Sequence, residues 1–312
     1  MSKNEKKSSV LKAVGAAAAV AGGTYAGFSY AIFRGAFDLL HSKLYKTDGT
    51  LLPEADEEMT AWYAHSEKQD EFIDSFDGIK LHATIIRNHE DCHHWLVFVP
   101  HSNTFGTGDL THLYEADHNG FNILAIDNRG TGMSSGQYTG LGWLEHYDLI
   151  SWINRLISID PDAEIALYGL VIGATAVMNA VGDYLPKNVK CAVEDGGISD
   201  FREILIHTVK ERAKVDAKAF LPGVNFLVKQ KLHFSLNDVN TMEQLKKTSI
   251  PMLFMHGNHD NIIPTRMVFD NYYNCASEKE LFIAQDAGHL EETVDPQYYQ
   301  TIFRFIRKYI PE

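Results

Sequence analysis

Six short apolar runs recur along the chain, and segments with helical periodicity separate them. The runs are Trp95–Val99, Asn122–Ile126, Glu164–Tyr168, Val189–Val193, Pro251–Met255 and Glu280–Ala284. Strands that are apolar along their whole length are typical of a parallel sheet that helices cover on both faces. The helical patterns include Leu144–Ile157, Ala174–Tyr184 and Gln297–Tyr309. This alternation predicts an α/β fold with a doubly wound sheet.

One edge of this sheet is predicted to be antiparallel. After a helical segment around Glu54–Lys68, two extended runs follow at Glu71–Phe76 and Ile79–Ile86. The dipeptide Asp77-Gly78 joins these runs, and Asp-Gly in this position favours the tight turn of a β-hairpin. The sheet is therefore predicted to be mostly parallel, with an N-terminal antiparallel hairpin.

The interval between the fourth and fifth apolar runs breaks the alternation. It contains more than fifty residues of helical composition and no clear strand. Helices are predicted at Phe201–Val209 and Val224–Leu232, with the Leu-Pro-Gly sequence of residues 221–223 as a break between them. An insertion of this size predicts a helical cap over the carboxyl edge of the sheet, at about residues 199–248.

The N-terminal segment differs from the rest of the chain in charge and hydropathy. Its leader contains four lysines, which are Lys3, Lys6, Lys7 and Lys12. Ala13–Phe33 then form a run of 21 residues without a charge, and Arg34 ends it. Such a run could form a helix of about 31 Å, close to the thickness of a bilayer's hydrocarbon core. We predict that residues 1–34 are a basic leader with a membrane anchor and that residues 35–312 form the α/β domain.

This segment has two interpretations, which place the protein in different locations. A basic leader before an apolar run is also typical of a signal peptide, and Ala19-Val20-Ala21 offers a cleavage site. Aromatic residues continue the run beyond that site, which favours a retained single-pass anchor in the cell membrane over a secreted protein. The lysine-rich flank is expected inside the cell, so the domain is expected outside it.

The charge of the chain limits its partners. It has 28 basic and 41 acidic residues, a net charge of −13. Residues 1–34 contain five basic residues and one acidic residue, a net of +4, so the other 278 residues carry −17. Binding to nucleic acid depends on clustered lysine and arginine, and so strongly acidic a domain argues against a nucleic-acid partner.

The sequence predicts neither a cofactor nor a metal site. The three cysteines are far apart and form no Cys-x-x-Cys pair. His89, Cys92, His93 and His94 cluster before the first apolar run, but no carboxylate or second cluster completes a metal site with them. We interpret these four as solvated loop residues. The sequence also has no glycine-rich loop of the kind that binds phosphate.

The turns that follow the strands carry the functional prediction, because ligands of open α/β sheets bind beyond the carboxyl ends of the strands. The turns are Pro100–Asn103, Asp127–Ser134, Gly169–Ala174, His256–Asp260 and Ala287–His289. Their order and spacing resemble those of the α/β-hydrolases of the serine esterase, lipase and peptidase type. The resemblance extends from about Phe72 to the C-terminus and is strongest to bacterial membrane-anchored or exported members.

This resemblance implies an α/β-hydrolase fold and assigns catalytic positions. Asp260 matches the acid and His289 matches the base that a serine nucleophile requires. The backbone amides of Asn103 and Ile172 match the donors of the oxyanion hole.

Valine occupies the position of the nucleophile. The strand-to-helix elbow of the family reads Gly-x-Ser-x-Gly, whereas residues 169–173 read Gly-Leu-Val-Ile-Gly, with Val171 at the centre. A valine side chain cannot be acylated, and β-branched residues are unfavourable at the positive φ that the elbow requires. A second departure is Ser102, which follows His101 where the family usually has a glycine. Together the two changes indicate a relaxed demand for catalysis.

Two serines are alternative nucleophiles. Ser134 lies in a literal Gly-x-Ser-x-Gly match at residues 132–136, but that match falls in a loop that the resemblance identifies as structural, pinned by Asp127 and Arg129. Ser102 lies on the loop that faces the elbow in this fold. An activated water on His289 is a further alternative.

Three functional hypotheses follow from these residues. The protein is a catalytically impaired pseudoenzyme that binds a small acyl, ester or peptide ligand or a protein partner, or it is an active hydrolase of carboxylic esters or peptides that uses another nucleophile. In the third hypothesis Val171 is an artificial replacement in an ordinary serine esterase. The sequence leaves the identity of the ligand and the oligomeric state open.

Overall fold

Eight strands form one sheet in the computed structural model of the protein, which describes residues 22–39, 55–101 and 106–312. The strands are β1 (Lys68–Asp74), β2 (Lys80–Ile86), β3 (His94–Val99), β4 (Asn122–Asp127), β5 (Glu164–Leu170), β6 (Val189–Asp195), β7 (Met252–Gly257) and β8 (Lys279–Ala284). Their order across the sheet is β1-β2-β4-β3-β5-β6-β7-β8. Strand β2 runs antiparallel to both of its neighbours, and all other adjacent pairs are parallel. The predicted hairpin and the mostly parallel sheet are confirmed.

Helices cover both faces of this sheet. The helices are α1 (22–37), α2 (Glu57–His65), α3 (Leu110–His118), α4 (Trp143–Ile159), α5 (Ile172–Ala180), α6 (Phe201–Ala213), α7 (Leu221–Leu232), α8 (Thr241–Leu245), α9 (Arg266–Asn274) and α10 (Tyr298–Ile306). Alternate residues of the buried strands face opposite layers, so that Trp95 and Val97 pack on the side of α4 and α5. Leu96 and Phe98 pack on the side of α1, α3 and α10. Because both faces are covered at the centre of the sheet, the central strands are mostly apolar, whereas the edge strand β1 is polar and largely exposed.

The helices differ in detail from the sequence prediction. Residues 221–223 do not break the chain between two helices: α7 begins at Leu221, and Pro222 lies in its first turn, where the missing N–H has no intrahelical partner to lose. Helix α5 ends at Ala180 instead of reaching residue 184. The short helices α3, α8 and α9 were not predicted, because each has at most nine residues and so no extended periodic pattern.

The insertion between β6 and β7 divides into two parts with different neighbours. Helices α6 and α7, joined by the 3-10 turn Ala217–Phe220, follow the carboxyl end of β6, and their apolar side chains share one core cluster with Val171. Helix α8 instead packs against α5 and α9. The cap over the carboxyl edge thus consists of α6 and α7, and the chain returns to the layer of helices at α8.

Helix α1 packs against the domain with its C-terminal half. Ile32, Phe33 and Phe37 are buried in the core, and the Phe37 ring lies 5.7 Å from that of Phe201 on α6. Residues 22–28 are all exposed. Of the predicted anchor Ala13–Phe33, residues 13–21 lie outside the described residues. Within the part of the chain that the structure describes, no helix is long and apolar enough to cross a membrane.

Candidate active site

The turn between β5 and α5 holds Val171 in the conformation of a nucleophile elbow. Its φ is 51° and its ψ is −97°, a region in which a β-branched residue is strained. The flanking glycines make the sharp turn possible. A Cβ on Gly173 would lie 1.9 Å from the carbonyl oxygen of Val99, and one on Gly169 would lie 2.4 Å from the backbone of Gly173. The elbow has therefore not relaxed in response to the valine.

Hydrogen bonds fix this strained turn on both sides of Val171. Its amide donates to the carbonyl oxygen of Asp195 at 2.8 Å, which ties the elbow to the end of β6. Its carbonyl oxygen accepts from the amide and the hydroxyl of Thr175, at 2.9 and 2.8 Å. The Val171 side chain is only 7 % exposed. Backbone strain of this kind costs about 1–3 kcal/mol and persists only where the surroundings impose it.

Asp260 and His289 form a hydrogen-bonded pair after β7 and β8. The Nδ1 of His289 lies 2.8 Å from Oδ2 of Asp260, and both side chains are buried. The other carboxylate oxygen of Asp260 accepts the amides of Ile262 and Ile263, at 2.7 and 2.8 Å, which fixes the carboxylate. Because Asp260 binds Nδ1, the opposite ring nitrogen, Nε2, is the atom of His289 that could accept a proton from a substrate or nucleophile. This is the arrangement in which a carboxylate orients a catalytic base.

A second histidine, which the sequence analysis did not assign, also touches Asp260. The Nε2 of His256 lies 3.4 Å from the carboxylate and 2.9 Å from the carbonyl oxygen of Ile263. Burial alone raises the pKa of Asp260, but the hydrogen bonds to His256 and His289 outweigh burial and hold this pKa well below its usual value. Asp260 is therefore ionised across the neutral range and can stabilise a positive charge on His289.

The predicted oxyanion loop is only partly described. Ser102 and Asn103 lie outside the described residues, so their predicted roles stay predictions. Burial, followed by the nearby positive charge of His289, lowers the pKa of His101 to about 4, so His101 is neutral at pH 7 beside the dyad. Ile172 is the first residue of α5, where amides have no intrahelical acceptor, as an oxyanion donor requires.

Ser134, the second alternative nucleophile, has a structural partner for each side of its hydroxyl group. The hydroxyl donates to the carbonyl oxygen of Asp127 at 2.7 Å and accepts the amide of His82 at 2.8 Å. The Asp127 carboxylate in turn accepts the amides of Gly106 and Met133, both at 2.8 Å. Ser134 thus joins the turn after β4 to strand β2.

Arg129 in the same turn is enclosed by carboxylates. Its guanidinium group donates to both oxygens of Asp148, at 2.7 and 2.8 Å, and to Asp77 at 2.9 Å. The Arg129 side chain is 1 % exposed. These contacts connect the turn to α4 and to the β1–β2 hairpin.

A network of buried acids and tyrosines surrounds the end of β6, and sequence reasoning missed it. The hydroxyl of Tyr298 donates to Asp195 at 2.5 Å and lies 2.5 Å from the hydroxyl of Tyr168. Glu194 accepts the amide of Gly197 at 2.9 Å, and burial raises the pKa of Glu194 to about 8. Two adjacent acids at the end of an apolar strand were the available sequence signal.

Glu194 gives a pH-dependent prediction. In the unfolded chain its pKa is about 4.3, so folding takes up a proton between that value and pH 8. Stability therefore falls as the pH rises through this window. We expect Glu194→Gln, which carries no ionisable group, to have a higher melting temperature than the native protein at pH 8 and a similar one near pH 4.5, measured by differential scanning calorimetry. Glu243→Gln, at an exposed site, is the control, and an equal gain at both pH values would contradict the assignment.

The histidine and cysteine cluster lies at the opposite end of the sheet. His93 lies 2.8 Å from Asp160, and His94 lies 3.7 Å from Glu164. His89 lies 3.3 Å from the carboxylate of Asp117 and 3.1 Å from its carbonyl oxygen. Each of these three histidines therefore pairs with a different carboxylate, which comes from a distant part of the sequence. No group of His, Cys, Asp and Glu in the described residues has a metal-binding arrangement.

Solved structures share this architecture. The esterase Pf2001 of Pyrococcus furiosus superposes with a TM-score of 0.66 at 18 % identity, over 85 % of this chain and 100 % of the esterase. The α/β-hydrolase GrgF of a Penicillium species gives a TM-score of 0.60 at 17 % identity, over 79 % of this chain and 100 % of GrgF. Acetyl xylan esterase 1 of Thermoanaerobacterium gives 0.58 at 16 % identity, over 85 % and 97 %. At these identities the likeness shows the fold.

The sequence relatives align with a smaller part of the chain than the solved structures do. The uncharacterized protein YqkD of Bacillus subtilis is 25 % identical over 54 % of this chain, and YfhR of Escherichia coli K12 is 23 % identical over 56 %. The chain spans 56 % and 55 % of the length of these two relatives. The α/β-hydrolase domain-containing protein WAV2 of Arabidopsis thaliana is 22 % identical over 78 % of this chain and 80 % of its own length. No family model matches the chain. The chain has the α/β-hydrolase fold.

Proposed function

We propose that the protein is an α/β-hydrolase-fold pseudoenzyme that binds a small acyl-containing ligand beneath its cap without forming an acyl-enzyme. The observation that carries this proposal is Val171 at the elbow. Its backbone has the nucleophile conformation, yet its side chain offers only methyl groups to a ligand. A covalent ester intermediate needs an oxygen or sulfur at this position.

The surroundings of Val171 support an acyl ligand. Val171 belongs to the same apolar cluster as Phe201 on α6 and Val224 on α7. Ile172 is predicted to supply an amide that binds the carbonyl oxygen of such a ligand. An apolar site with a few oriented polar groups is typical of small-molecule binding in this kind of fold.

The intact dyad favours one alternative, an active hydrolase of carboxylic esters or peptides. The buried contact between Asp260 and His289 is the geometry of a working base, and that base could activate a water or a serine of the oxyanion loop. Ser102 is the candidate serine, because the hydroxyl group of Ser134 is engaged on both sides.

Labelling and hydrolysis of the native protein distinguish the two functions. We expect a fluorophosphonate probe to label no residue, and we expect the hydrolysis of p-nitrophenyl butyrate to equal that of His289→Ala. We also expect fatty acids of four to twelve carbons to raise the melting temperature of the native protein. A labelled peptide that contains Ser102 or Ser134, with turnover that His289→Ala abolishes, would establish the hydrolase instead. If none of these fatty acids raises the melting temperature, the proposed acyl ligand is wrong.

The location of the protein is a separate proposal. The lysines of the leader and the uncharged run that follows them support attachment of the N-terminal segment to the cell membrane, with the domain outside the cell. This proposal is independent of whether the site binds or hydrolyses its ligand.

A further inference from the structure

Two exposed aromatic side chains of α1 pack against the 3-10 turn that precedes α7 in the cap. Tyr25 and Phe28 of α1 contact the ring of Phe220, with centroids 5.5 and 5.3 Å apart. The hydroxyl oxygen of Tyr25 accepts the amide of Gly223, 3.1 Å away in the first turn of α7. Phe226 lies one helical turn further along α7. Despite their contacts, Tyr25, Phe28 and Phe226 remain 37 %, 44 % and 62 % exposed.

Basic side chains accompany these rings. Residues 201–232, which include α6 and α7, contain seven basic and three acidic residues, a net of +4 in a chain whose net charge is −13. Lys229 lies one turn after Phe226 on the same side of α7 and is exposed. We call the side chains of Tyr25, Phe28, Phe226 and Lys229 the α1–α7 face. Exposed aromatic rings with lysines beside them are the composition of surfaces that bind the interface of anionic bilayers.

The chain that leads into α1 indicates what covers this face. Residues 13–21 carry no charge, follow a lysine-rich leader and enter α1 directly beside Tyr25. At the other end, Ser29 is 2 % exposed against Gly223, and Ile32 and Phe33 are buried in the core. With these residues held by the domain, the uncharged residues available to lipid are 13–28. A bilayer that binds this uncharged segment would lie next to the α1–α7 face.

We propose that the α1–α7 face binds the surface of an anionic phospholipid bilayer, so that the domain rests on the membrane with its cap against the lipid. This inference rests on the proposed membrane attachment and adds the face that makes the contact. It also brings the carboxyl edge of the sheet, where Val171 and His289 lie, to the membrane side of the domain. An acyl ligand could then enter from the bilayer.

A fluorescent probe beside the face tests the proposal in the full-length chain. Gln230→Cys places a thiol on the exposed side of α7 next to Phe226, and Cys92→Ser removes the half-buried native thiol; the other two cysteines are buried. The probe is NBD. Tyr184→Cys, at the opposite edge of the sheet, carries it as the matched control. With phosphatidylcholine–phosphatidylglycerol vesicles we expect the NBD emission at residue 230 to rise at least threefold and shift to the blue. We expect no change at residue 184, and a loss of most of the signal in 0.5 M NaCl.

Variants of the face complete the test. Phe226→Ser combined with Lys229→Glu is expected to abolish the response at residue 230, whereas Phe269→Ser, which removes an exposed aromatic of α9, is expected to preserve it. Sedimentation with vesicles but a silent probe at residue 230 would leave membrane attachment in place and overturn the α1–α7 face. If the protein does not sediment with the vesicles at all, both the membrane attachment and the α1–α7 face are wrong. A response at residue 230 that needs no vesicles and grows with protein concentration would assign the face to a second copy of the chain and also overturn the proposal.

Discussion

Val171→Ser is expected to create esterase activity in this protein. Val171 already has the strained backbone conformation of an elbow, and His289 already contacts the carboxylate of Asp260. A serine at residue 171 would place a hydroxyl group at the proposed nucleophile position, with His289 as its proposed base. Since a positioned general base contributes about 10²–10⁴-fold, we expect the hydrolysis of p-nitrophenyl acetate to rise at least about 100-fold over the native protein.

Two further variants make this result specific. Val171→Ala removes the β-branched side chain without adding a nucleophile, and it is expected to remain at the native rate. The double variant Val171→Ser, His289→Ala is expected to lose the gain. Covalent labelling of the Val171→Ser variant by a fluorophosphonate, followed by peptide mapping to residue 171, checks that the new hydroxyl group reacts. An unlabelled, correctly folded Val171→Ser variant would show that the oxyanion loop around His101 is not competent for catalysis.

Arg129→Met is expected to cause the largest loss of stability. The substitution keeps most of the side-chain volume but leaves Asp148, 5 % exposed, without the guanidinium group that binds both of its oxygens. Removing one partner of a buried ion pair costs about 3–5 kcal/mol because the remaining charge is uncompensated. Urea denaturation at pH 7.5 measures the change in the free energy of unfolding.

The same variant has a signed pH dependence. Burial raises the pKa of Asp148 to about 6 even with Arg129 in place, and loss of the arginine raises this pKa further. The folded variant therefore binds a proton that the unfolded chain releases, so its deficit in stability is expected to shrink between pH 8 and pH 5. Arg155→Ala, which breaks a partly exposed ion pair with Glu71, is the control and is expected to cost less than about 1 kcal/mol. A deficit that does not change with pH would contradict the role of Asp148.

Local sequence patterns predicted the sheet well because each pattern reports a local physical requirement. A strand buried on both faces is apolar at most of its positions, and β3 to β7 are visible for that reason. Asp77-Gly78 predicted the hairpin because its turn geometry depends on the residues of the turn. The start of α7 was missed because Pro222 is compatible both with a break and with the first turn of a helix.

The site was only partly predictable. Asp260 and His289 follow separate strands, and the family resemblance paired them; the structure brings their side chains into contact, while their catalytic roles stay a prediction. His256 was not recognised as a partner of Asp260, because a histidine at the end of a strand gives no sign of which carboxylate it will meet. The raised pKa of Glu194 could not be predicted either. It comes from burial in the folded domain and not from the residues next to Glu194 in the sequence.

The sequence by itself determined the order of the strands along the chain, the acidic charge of the domain and the absence of a nucleophilic atom at residue 171. These properties depend on residue identity and on neighbours a few positions away. The tertiary structure decided that Val171 keeps a strained elbow. Hydrogen bonds to Asp195 at the end of β6 and to Thr175 in α5 hold its backbone, and the carbonyl oxygen of Val99 in β3 lies against Gly173. The tertiary structure also decided that the C-terminal half of an apolar run packs on the cap. An uncharged segment gains free energy against either lipid or a protein core, and only the folded domain offers the complementary surface that distinguishes the two.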